Sequence, residues 1–265
     1  MKSILLALLV SMSATPSLAG LKSQISILEP IETPEIKSWS DASSGDVECR
    51  ELADIANAFL CLTQTSELLT RLMARASYFR EASPRGQLIS AKNARFTESD
   101  QAHYVGHDTV AEFINAFYAK SAEKCAGDPE LCVSPLEREL FEKVIKPLHE
   151  RQVSDFAILA VEARGEGFMS NVTHEILHAR YYLSPAYRSV VTKFWNENVI
   201  PDDRDKIRVF LADTYNFDGP EGEALLMNEF QAYTLEESAD KDVSGFARIE
   251  RTYGVQLREA LSRTR

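Results

Sequence analysis

Residues 172–183, with the sequence VTHEILHARYYL, constrain the fold of this chain more than any other stretch. His174 and His178 are four residues apart, so a helix brings both imidazoles onto one face, where they can share one metal ion. Glu175 lies about 100° around the same helix, where its carboxylate can reach a water on that metal without binding the metal itself. This HExxH pattern is typical of a zinc site in which the glutamate takes a proton from the water.

The rest of this helix is apolar. Its other faces carry hydrophobic side chains, namely those of Val172, Ile176, Leu177, Ala179 and Leu183. The polar trio is therefore expected to be buried, and buried polar groups need partners. The alternative to a metal site is a core helix whose histidines are only hydrogen-bonded.

Length and composition indicate a globular chain with a sizeable core. The chain has 265 residues, of which 45% are hydrophobic, which suits one large domain or two small ones. Its formal net charge is −11 at pH 7. Such an acidic chain repels nucleic acid and anionic membrane surfaces, so neither is expected as a partner.

The first 19 residues have the pattern of a secretory signal peptide. Lys2 supplies the basic start, Ile4 to Val10 the apolar run, and Ser17 and Ala19 the small residues before a cleavage site. The apolar run is too short to span a bilayer, and no cysteine follows the cleavage site to carry a lipid anchor. We therefore expect an exported protein, periplasmic or secreted.

Four cysteines in an exported chain suggest two disulfides. The segment from Cys49 to Cys61 has no Gly or Pro and is predicted to be helical, which separates the two Cα atoms by roughly 18 Å. A disulfide needs less than about 7 Å, so each of these cysteines is expected to bond to Cys125 or Cys132. If the helix breaks instead, the bonds are local, Cys49 to Cys61 and Cys125 to Cys132.

The predicted fold class is α+β, mainly α. Residues 20–45 contain Pro30 and Pro34 and are expected to form an extended arm, or a strand, that leads into a single domain over 46–265. A long helix, or two joined near Thr65, is predicted from Asp46 to about Phe79. The apolar run around FAILAV, 156–161, is predicted to be a buried strand before the HExxH helix, and further helices follow from Pro185, from Pro201, after Pro220 and from about Val243.

A catalytic zinc site commonly has three protein ligands, so a third ligand is required. Glu229, in the segment LLMNEFQAYTLE, lies in the apolar stripe of its predicted helix, where an ionised carboxylate is unfavourable unless it is paired or binds metal. The alternative is a salt bridge to a buried arginine. His103, His107 and His149 are weaker candidates, with His103 and His107 expected in a loop or at the surface, and Asp213 and Glu223 would be next in line. Glu236 and Glu237, near the end of the helix, are expected to be solvated.

The HEILH motif followed by NEFQAY resembles the gluzincin group of zinc metallopeptidases, in which a second helix supplies a glutamate, often preceded by Asn as in Asn228-Glu229. The resemblance covers about thirty residues on two helices and implies a zincin-like domain with a small sheet. In thermolysin-like members a carboxylate four residues after the glutamate orients a ligand histidine, whereas this chain has Tyr233 there. The metzincin extension is excluded, because Tyr181 and Ser184 stand where it requires Gly and His.

The residues and the resemblance imply the same chemistry. One zinc ion per chain on His174, His178 and Glu229 would activate a water, with Glu175 as general base for peptide-bond hydrolysis. Tyr233 is the first candidate to stabilise the oxyanion, with Tyr181, Tyr182, Tyr215 and Arg180 as alternatives. Two other functions fit the sequence: a zinc amidase acting on cell-wall peptides, and a helical binding or scaffold module with a structural zinc.

Overall fold

A computed structural model describes residues 23–81, 86–90, 93, 106–165, 167–212, 215–219, 221–236 and 246–263. The chain is mainly helical and has one small mixed sheet, so the α+β, mainly α prediction is confirmed. The proposed signal peptide lies outside the described residues. Among the helices in the described ranges, none combines the length and the hydropathy that a bilayer-spanning segment needs.

Five strands form the sheet in the order β1-β2-β3-β5-β4. The pairs β1/β2 and β3/β5 are parallel, and the pairs β2/β3 and β5/β4 are antiparallel. The strands are β1 (Ile25–Ile27), β2 (Val47–Glu51), β3 (Ala58–Thr63), β4 (Gly106–Val110) and β5 (Ala157–Glu162). The predicted strand around 156–161 is therefore β5, and β4 is the last strand on its side of the described sheet.

Nine helices account for most of the other described residues. They are α1 (Ile36–Ala42), α2 (66–81, with a π-helical turn at Thr70–Ala74), α3 (Ala111–Cys125), α4 (135–150, with a π-helical turn at Phe141–Ile145), α5 (Phe168–Leu183), α6 (Pro185–Asn198), α7 (Pro201–Leu211), α8 (Gly222–Leu235) and α9 (Phe246–Ser262). The helices predicted from the HExxH motif onward are all present within these ranges.

Residues 47–63 form a hairpin, so the predicted helix from Asp46 is wrong in its first half. Strand β3 is a short run buried on both faces, and periodicity alone cannot distinguish such a run from a buried helix. The turn before β3 contains Asn57 at φ 64°, a left-handed conformation that asparagine tolerates better than most residues. Helix formation begins only at Ser66, after Thr65 caps the helix by accepting a hydrogen bond from the backbone N–H of Leu68.

The hairpin also corrects the predicted disulfide pairing. Cys49 on β2 lies directly opposite Cys61 on β3, with Cα atoms 4.0 Å apart, and the two are bonded. Cys125 at the end of α3 is bonded to Cys132, with Cα atoms 4.6 Å apart. Both bonds are therefore local, which is the outcome that follows when the segment 49–61 is not helical.

The N-terminal segment is part of the domain and not merely an extended arm. From Ser23 onward it contributes strand β1, which pairs with β2, and helix α1. Ile36 and Trp39 of α1 are buried in the core beneath one face of the sheet. Residues 23–45 therefore pack with the rest of the described fold.

The sheet separates two hydrophobic cores. On one face α2, α3 and α4 pack, and on the other α1 and α5 pack. A third core joins α6, α7, α8 and α9 to Leu177 on α5. Helix α5 thus lies between the sheet and the C-terminal helices. One of its faces packs in the core against the sheet, and the other packs in the core of the C-terminal helices.

Candidate metal centre

Helix α5 presents its two histidines away from the sheet. Val172, Ile176 and Ala179 face strands β3 and β5 in the core on that side of the sheet. A residue two positions from this apolar row lies roughly on the opposite side of the helix, which is where His174 and His178 stand. Their rings are 4.5 Å apart between centroids. The sequence pattern therefore produces the paired imidazoles that it predicted.

Helix α8 packs against α5 and carries Glu229. Its neighbours Leu225, Leu226, Phe230 and Ala232 are buried, and Glu229 is only 2% exposed. Each of the three suspected ligands is thus fixed on the buried face of a helix. The structure brings the three together across the α5/α8 interface.

The donor atoms converge on one point. Oε2 of Glu229 is 3.7 Å from Nε2 of His174 and 3.6 Å from Nε2 of His178. A tetrahedral zinc ion with bonds of about 2.0 to 2.1 Å places its ligand atoms about 3.4 Å apart. These distances are too long for good hydrogen bonds and close to the spacing that a shared zinc ion requires.

The burial of Glu229 supports the same interpretation. Among the described residues, Oε2 of Glu229 has no hydrogen-bond partner, although it is shielded from water. A carboxylate oxygen in such a place needs a positive charge beside it, either a proton on His174 or a cation bound between Glu229 and the two imidazoles. The three residues therefore fit a bound divalent ion, and a nitrogen-and-oxygen donor set of this kind is one that zinc favours.

Glu175 lies on the side of α5 that faces the edge strand β4. Its carboxylate lies directly against Gly106: a methyl group on Gly106 would come within 3.0 Å of Cδ and would overlap Oε1 of Glu175. One ligand atom of Glu175 is within 4.8 Å of one of His178. Glu175, Asp108 and His178 form a second group whose ligand atoms lie within 4.8 Å of one another, so Glu175 adjoins the three converging residues through His178.

Glu236 orients the first histidine. Its Oε2 lies 2.7 Å from Nδ1 of His174, and Glu236 is 8% exposed. Glu236 and Glu237 were expected to be solvated, so for Glu236 that prediction is wrong, while Glu237 lies outside the described residues. Helix α8 ends at Leu235, and the chain then turns Glu236 back toward α5.

The carboxylates also set the charge of His174. Burial by itself lowers the pKa of His174, but the carboxylates of Glu229 and Glu236 outweigh it and raise the pKa well above its ordinary value. A divalent ion at Nε2 would take the place of that proton, since a histidine must be neutral at the nitrogen that binds metal. The carboxylates of Glu229 and Glu236, which favour a proton on His174, also favour a metal cation at this place.

A buried ion pair adjoins the second histidine. Asp108 on β4 has a ligand atom within 4.8 Å of one of His178, and its Oδ2 accepts a hydrogen bond from Arg80 at 2.8 Å. Burial alone would raise the pKa of Asp108, but Arg80 and the two histidines hold it below its ordinary value. Asp108 is therefore ionised beside the metal centre, with Arg80 compensating its charge.

The same ion pair connects to a chain of polar side chains. Arg80 also donates to the hydroxyl of Tyr182, and the amide of Asn228 donates to that hydroxyl at 3.0 Å. Gln231 donates to Asn228 and accepts a hydrogen bond from Tyr187. This network ties β4, α5 and α8 together around the metal centre.

Tyr233 lies against the site. Its ring centroid is 4.7 Å from that of His174, and burial, with Glu229 adding to it, raises the pKa of the Tyr233 phenol well above its ordinary value. The phenol thus stays protonated and can donate a hydrogen bond at neutral pH.

The alternatives to Tyr233 for the oxyanion are engaged elsewhere. Tyr181 donates to the carbonyl of Ala224 at 3.5 Å, and Tyr182 belongs to the Arg80 network. Arg180 pairs with Asp54. Tyr215 packs against Phe217 and hydrogen-bonds with Tyr233.

The other candidate ligands do not lie with His174, His178 and Glu229. Glu223 accepts hydrogen bonds from Trp195 and Arg208, and His149 bonds to Asn115. His107, expected in a loop or at the surface, is instead buried in β4 and bonded to Ser77 at 3.0 Å. His103 and Asp213 lie outside the described residues.

Three residues of the site were missed by sequence reasoning. Gly106 and Asp108 belong to a strand that the sequence did not reveal, and Glu236 follows a helix whose end the sequence left undefined. Glu236 lies seven residues after Glu229, but α8 ends at Leu235, so helical spacing does not describe its position. The other two depend on the pairing of β4 with β5.

No protein-family model, no curated protein and no solved structure matches this chain.

Proposed function

We propose that this chain is an exported, zinc-dependent metallopeptidase. The observation that carries the proposal is the convergence of Nε2 of His174 and Nε2 of His178 on the buried, otherwise unpartnered Oε2 of Glu229. Glu175 lies beside this centre without converging on it. The zincin-like fold implied by the resemblance to gluzincins is part of the same proposal.

Two features favour a catalytic centre over a structural one. Structural zinc sites are usually closed by four protein ligands, whereas catalytic sites have three and leave one position for water. Three residues converge here, and the adjoining carboxylate is positioned as a base. A structural site would have no use for Glu175 in that place.

The residues suggest the following reaction. Zinc held by His174, His178 and Glu229 would polarise the attacking water and the substrate carbonyl. Glu175 accepts a proton from that water as it attacks, and then delivers the proton to the nitrogen of the leaving amine. Tyr233, protonated at neutral pH, donates a hydrogen bond to the oxyanion that develops on the carbonyl oxygen.

Strand β4 offers a way to hold the substrate. It is the last described strand on its side of the sheet, and Gly106 places its backbone directly against Glu175. An extended peptide can add to such an edge through main-chain hydrogen bonds. A peptide bound along this edge would lie beside Glu175, which favours peptide substrates over small amides.

Two variants test the proposal. Glu229→Ala should lose most of the zinc, because it removes one of three ligands. Glu175→Gln should retain one zinc per chain and a normal melting temperature but lose hydrolysis of a mixed peptide library by about 10² to 10⁴ fold. Elemental analysis and cleavage assays measure both, and Glu197→Gln, an exposed residue on α6, is the control that should change neither.

Two results would contradict the proposal. If the wild-type protein takes up no zinc after supplementation, the metal centre is wrong. If Glu175→Gln hydrolyses the library as fast as wild type, Glu175 is not the base. Zinc uptake without any peptide hydrolysis by wild type would favour a binding module with a structural zinc.

A further inference from the structure

A groove of about 820 Å³ lies on the side of α5 that faces away from Glu175. Leu177 and Arg180 line it, and both lie about 140° or more around the helix from that carboxylate. The other walls come from the turn between β2 and β3, the start of α6 and the ends of α8 and α9. The volume is within the 300 to 1,000 Å³ typical of sites for small molecules. The groove can therefore hold a whole ligand, apart from the side of α5 that carries the proposed base.

Most of the groove wall is apolar. The side chains that form this part are those of Ile55, Leu177, Leu183, Leu235, Leu261 and Tyr187. Hydrocarbon placed against them would be removed from water, which is favourable in proportion to the apolar area buried. The groove therefore favours a ligand with an aliphatic body.

The hydroxyl groups of the groove are already engaged within the protein. Oγ of Ser184 accepts a hydrogen bond from the backbone N–H of Tyr187, and the Tyr187 hydroxyl donates to Gln231 at 2.8 Å. Ser262 donates to the carbonyl of Glu259. A peptide would bring several backbone N–H and C=O groups that each need a partner. The groove thus suits a ligand with few polar atoms better than a peptide.

Two of the three charged side chains in the groove compensate each other. Asp54 lies 3.4 Å from Arg180 and also accepts a hydrogen bond from Thr33 at 2.8 Å. Arg180 is therefore not offered to a ligand. Arg258 on α9 is the third charged group.

Arg258 keeps most of its charge and most of its donors. Within the described residues its one hydrogen bond goes to the carbonyl of Leu235 at 3.3 Å, and it forms no ion pair. That carbonyl belongs to the C-terminus of α8, which offsets about half of a positive charge. The nearby carboxylate of Glu236 points to His174 instead. A guanidinium has five N–H donors, so enough remain to bind a carboxylate through two parallel hydrogen bonds.

We propose that this groove binds an amphipathic carboxylate, a molecule of the fatty-acid class with one carboxylate head on an aliphatic body. The head pairs with Arg258, and the body lies along the apolar wall. This inference does not rest on the proposed peptidase function, because no residue of the metal centre takes part in it.

Three ligands with the same aliphatic chain test the proposal. Wild-type protein is titrated calorimetrically with decanoate, decan-1-ol and decylamine, each below the concentration at which it aggregates. Decanoate should bind at least tenfold more tightly than decan-1-ol, and decylamine should bind most weakly. Equal affinities, a preference for decylamine, or no binding of decanoate at millimolar concentration would overturn the proposal.

Two variants locate the ligand. Arg258→Gln should lower the affinity for decanoate to that for decan-1-ol, whereas Arg263→Gln, an exposed arginine on the same segment outside the groove, should keep the preference. Ala186→Trp should weaken the binding of both ligands at least tenfold, because the ring fills the groove, and should leave the melting temperature of the free protein close to wild type, since Ala186 is exposed. A preference for decanoate that survives Arg258→Gln, or binding unaffected by Ala186→Trp, would place the ligand elsewhere and overturn the inference.

Discussion

The carboxylate of Glu236 lies 2.7 Å from Nδ1 of His174, while Nε2 of the same ring faces Glu229. A carboxylate on the far nitrogen of a metal-binding histidine fixes its tautomer and its ring orientation. In thermolysin-like enzymes such a carboxylate stands four residues after the glutamate, and this chain departs from that pattern with Tyr233. Glu236, three residues later and just beyond the end of α8, is placed to accept a hydrogen bond from Nδ1 of His174.

Glu236→Gln should therefore weaken zinc binding by about 10 to 100 fold without unfolding the protein. The amide oxygen can still accept a hydrogen bond from Nδ1, but without the negative charge it favours the tautomer that exposes Nε2 to metal less strongly. Competition with a chromogenic chelator measures the affinity, and Glu250→Gln on α9, an exchange of the same kind outside the site, serves as control. An unchanged zinc affinity would show that Glu236 only packs against His174.

Gly106→Ala should slow hydrolysis while leaving zinc bound. The added methyl group would lie 3.0 Å from Cδ of Glu175 and would overlap its Oε1, so the carboxylate must move. Misplacement of a catalytic group by about 1 Å costs on the order of 10²-fold in rate. The measurement is kcat at saturating peptide together with zinc content, and Gly127→Ala in the turn after α3 is the control. Full activity of Gly106→Ala would mean that Glu175 has room to relocate.

Tyr233→Phe tests whether Tyr233 only packs against His174 or also donates a hydrogen bond during catalysis. The ring remains against His174, so zinc content and melting temperature should stay close to wild type, while the phenol donor is lost. Removal of one oxyanion donor costs about 10² to 10³ fold in kcat. Tyr187→Phe, which removes a hydroxyl bonded to Gln231, is the control. A kcat within twofold of wild type for Tyr233→Phe would leave the oxyanion donor to another residue.

The sequence predicted those residues of the site that lie in long helices or continuous apolar strands. The HExxH helix, the strand before it and the helix of Glu229 were all readable, because a long helix repeats its pattern over several turns and β5 is a continuous apolar run. The hairpin 47–63 could not be predicted from the sequence, because its apolar residues fit a helical period almost as well as they fit two short strands. The signal for the turn was Asn57, a single residue.

The residues around the three ligands depend on pairing between distant segments. Asp108 and Gly106 reach the centre only because β4 pairs with β5, about fifty residues later in the chain. The groove lined by Leu177 and Arg258 likewise forms between helices that are not adjacent in sequence. No local pattern carries such information, so sequence reasoning singled out the three proposed ligands and the proposed base but not their surroundings.

His107 should make stability depend on pH in a defined window. Burial in β4 lowers the pKa of His107 from about 6.5 to about 4, against a smaller opposing effect of Asp108. Between these values the unfolded state binds a proton at His107 that the folded state does not, so the free energy of unfolding falls as the pH drops from 6.5 toward 4. The loss should be on the order of 1 to 3 kcal/mol, since one unit of pKa is worth about 1.4 kcal/mol.

His107→Asn, which retains a polar group for the hydrogen bond with Ser77, should remove this part of the pH dependence. Urea unfolding of both proteins in excess chelator at pH 7 and pH 4.5 measures it, because metal binding then no longer contributes to the difference. The carboxylates of the chain titrate in both proteins and cancel in the comparison. Parallel losses of stability in the two proteins would show that His107 accepts a proton in the folded state, and so that β4 opens to water above pH 4.5.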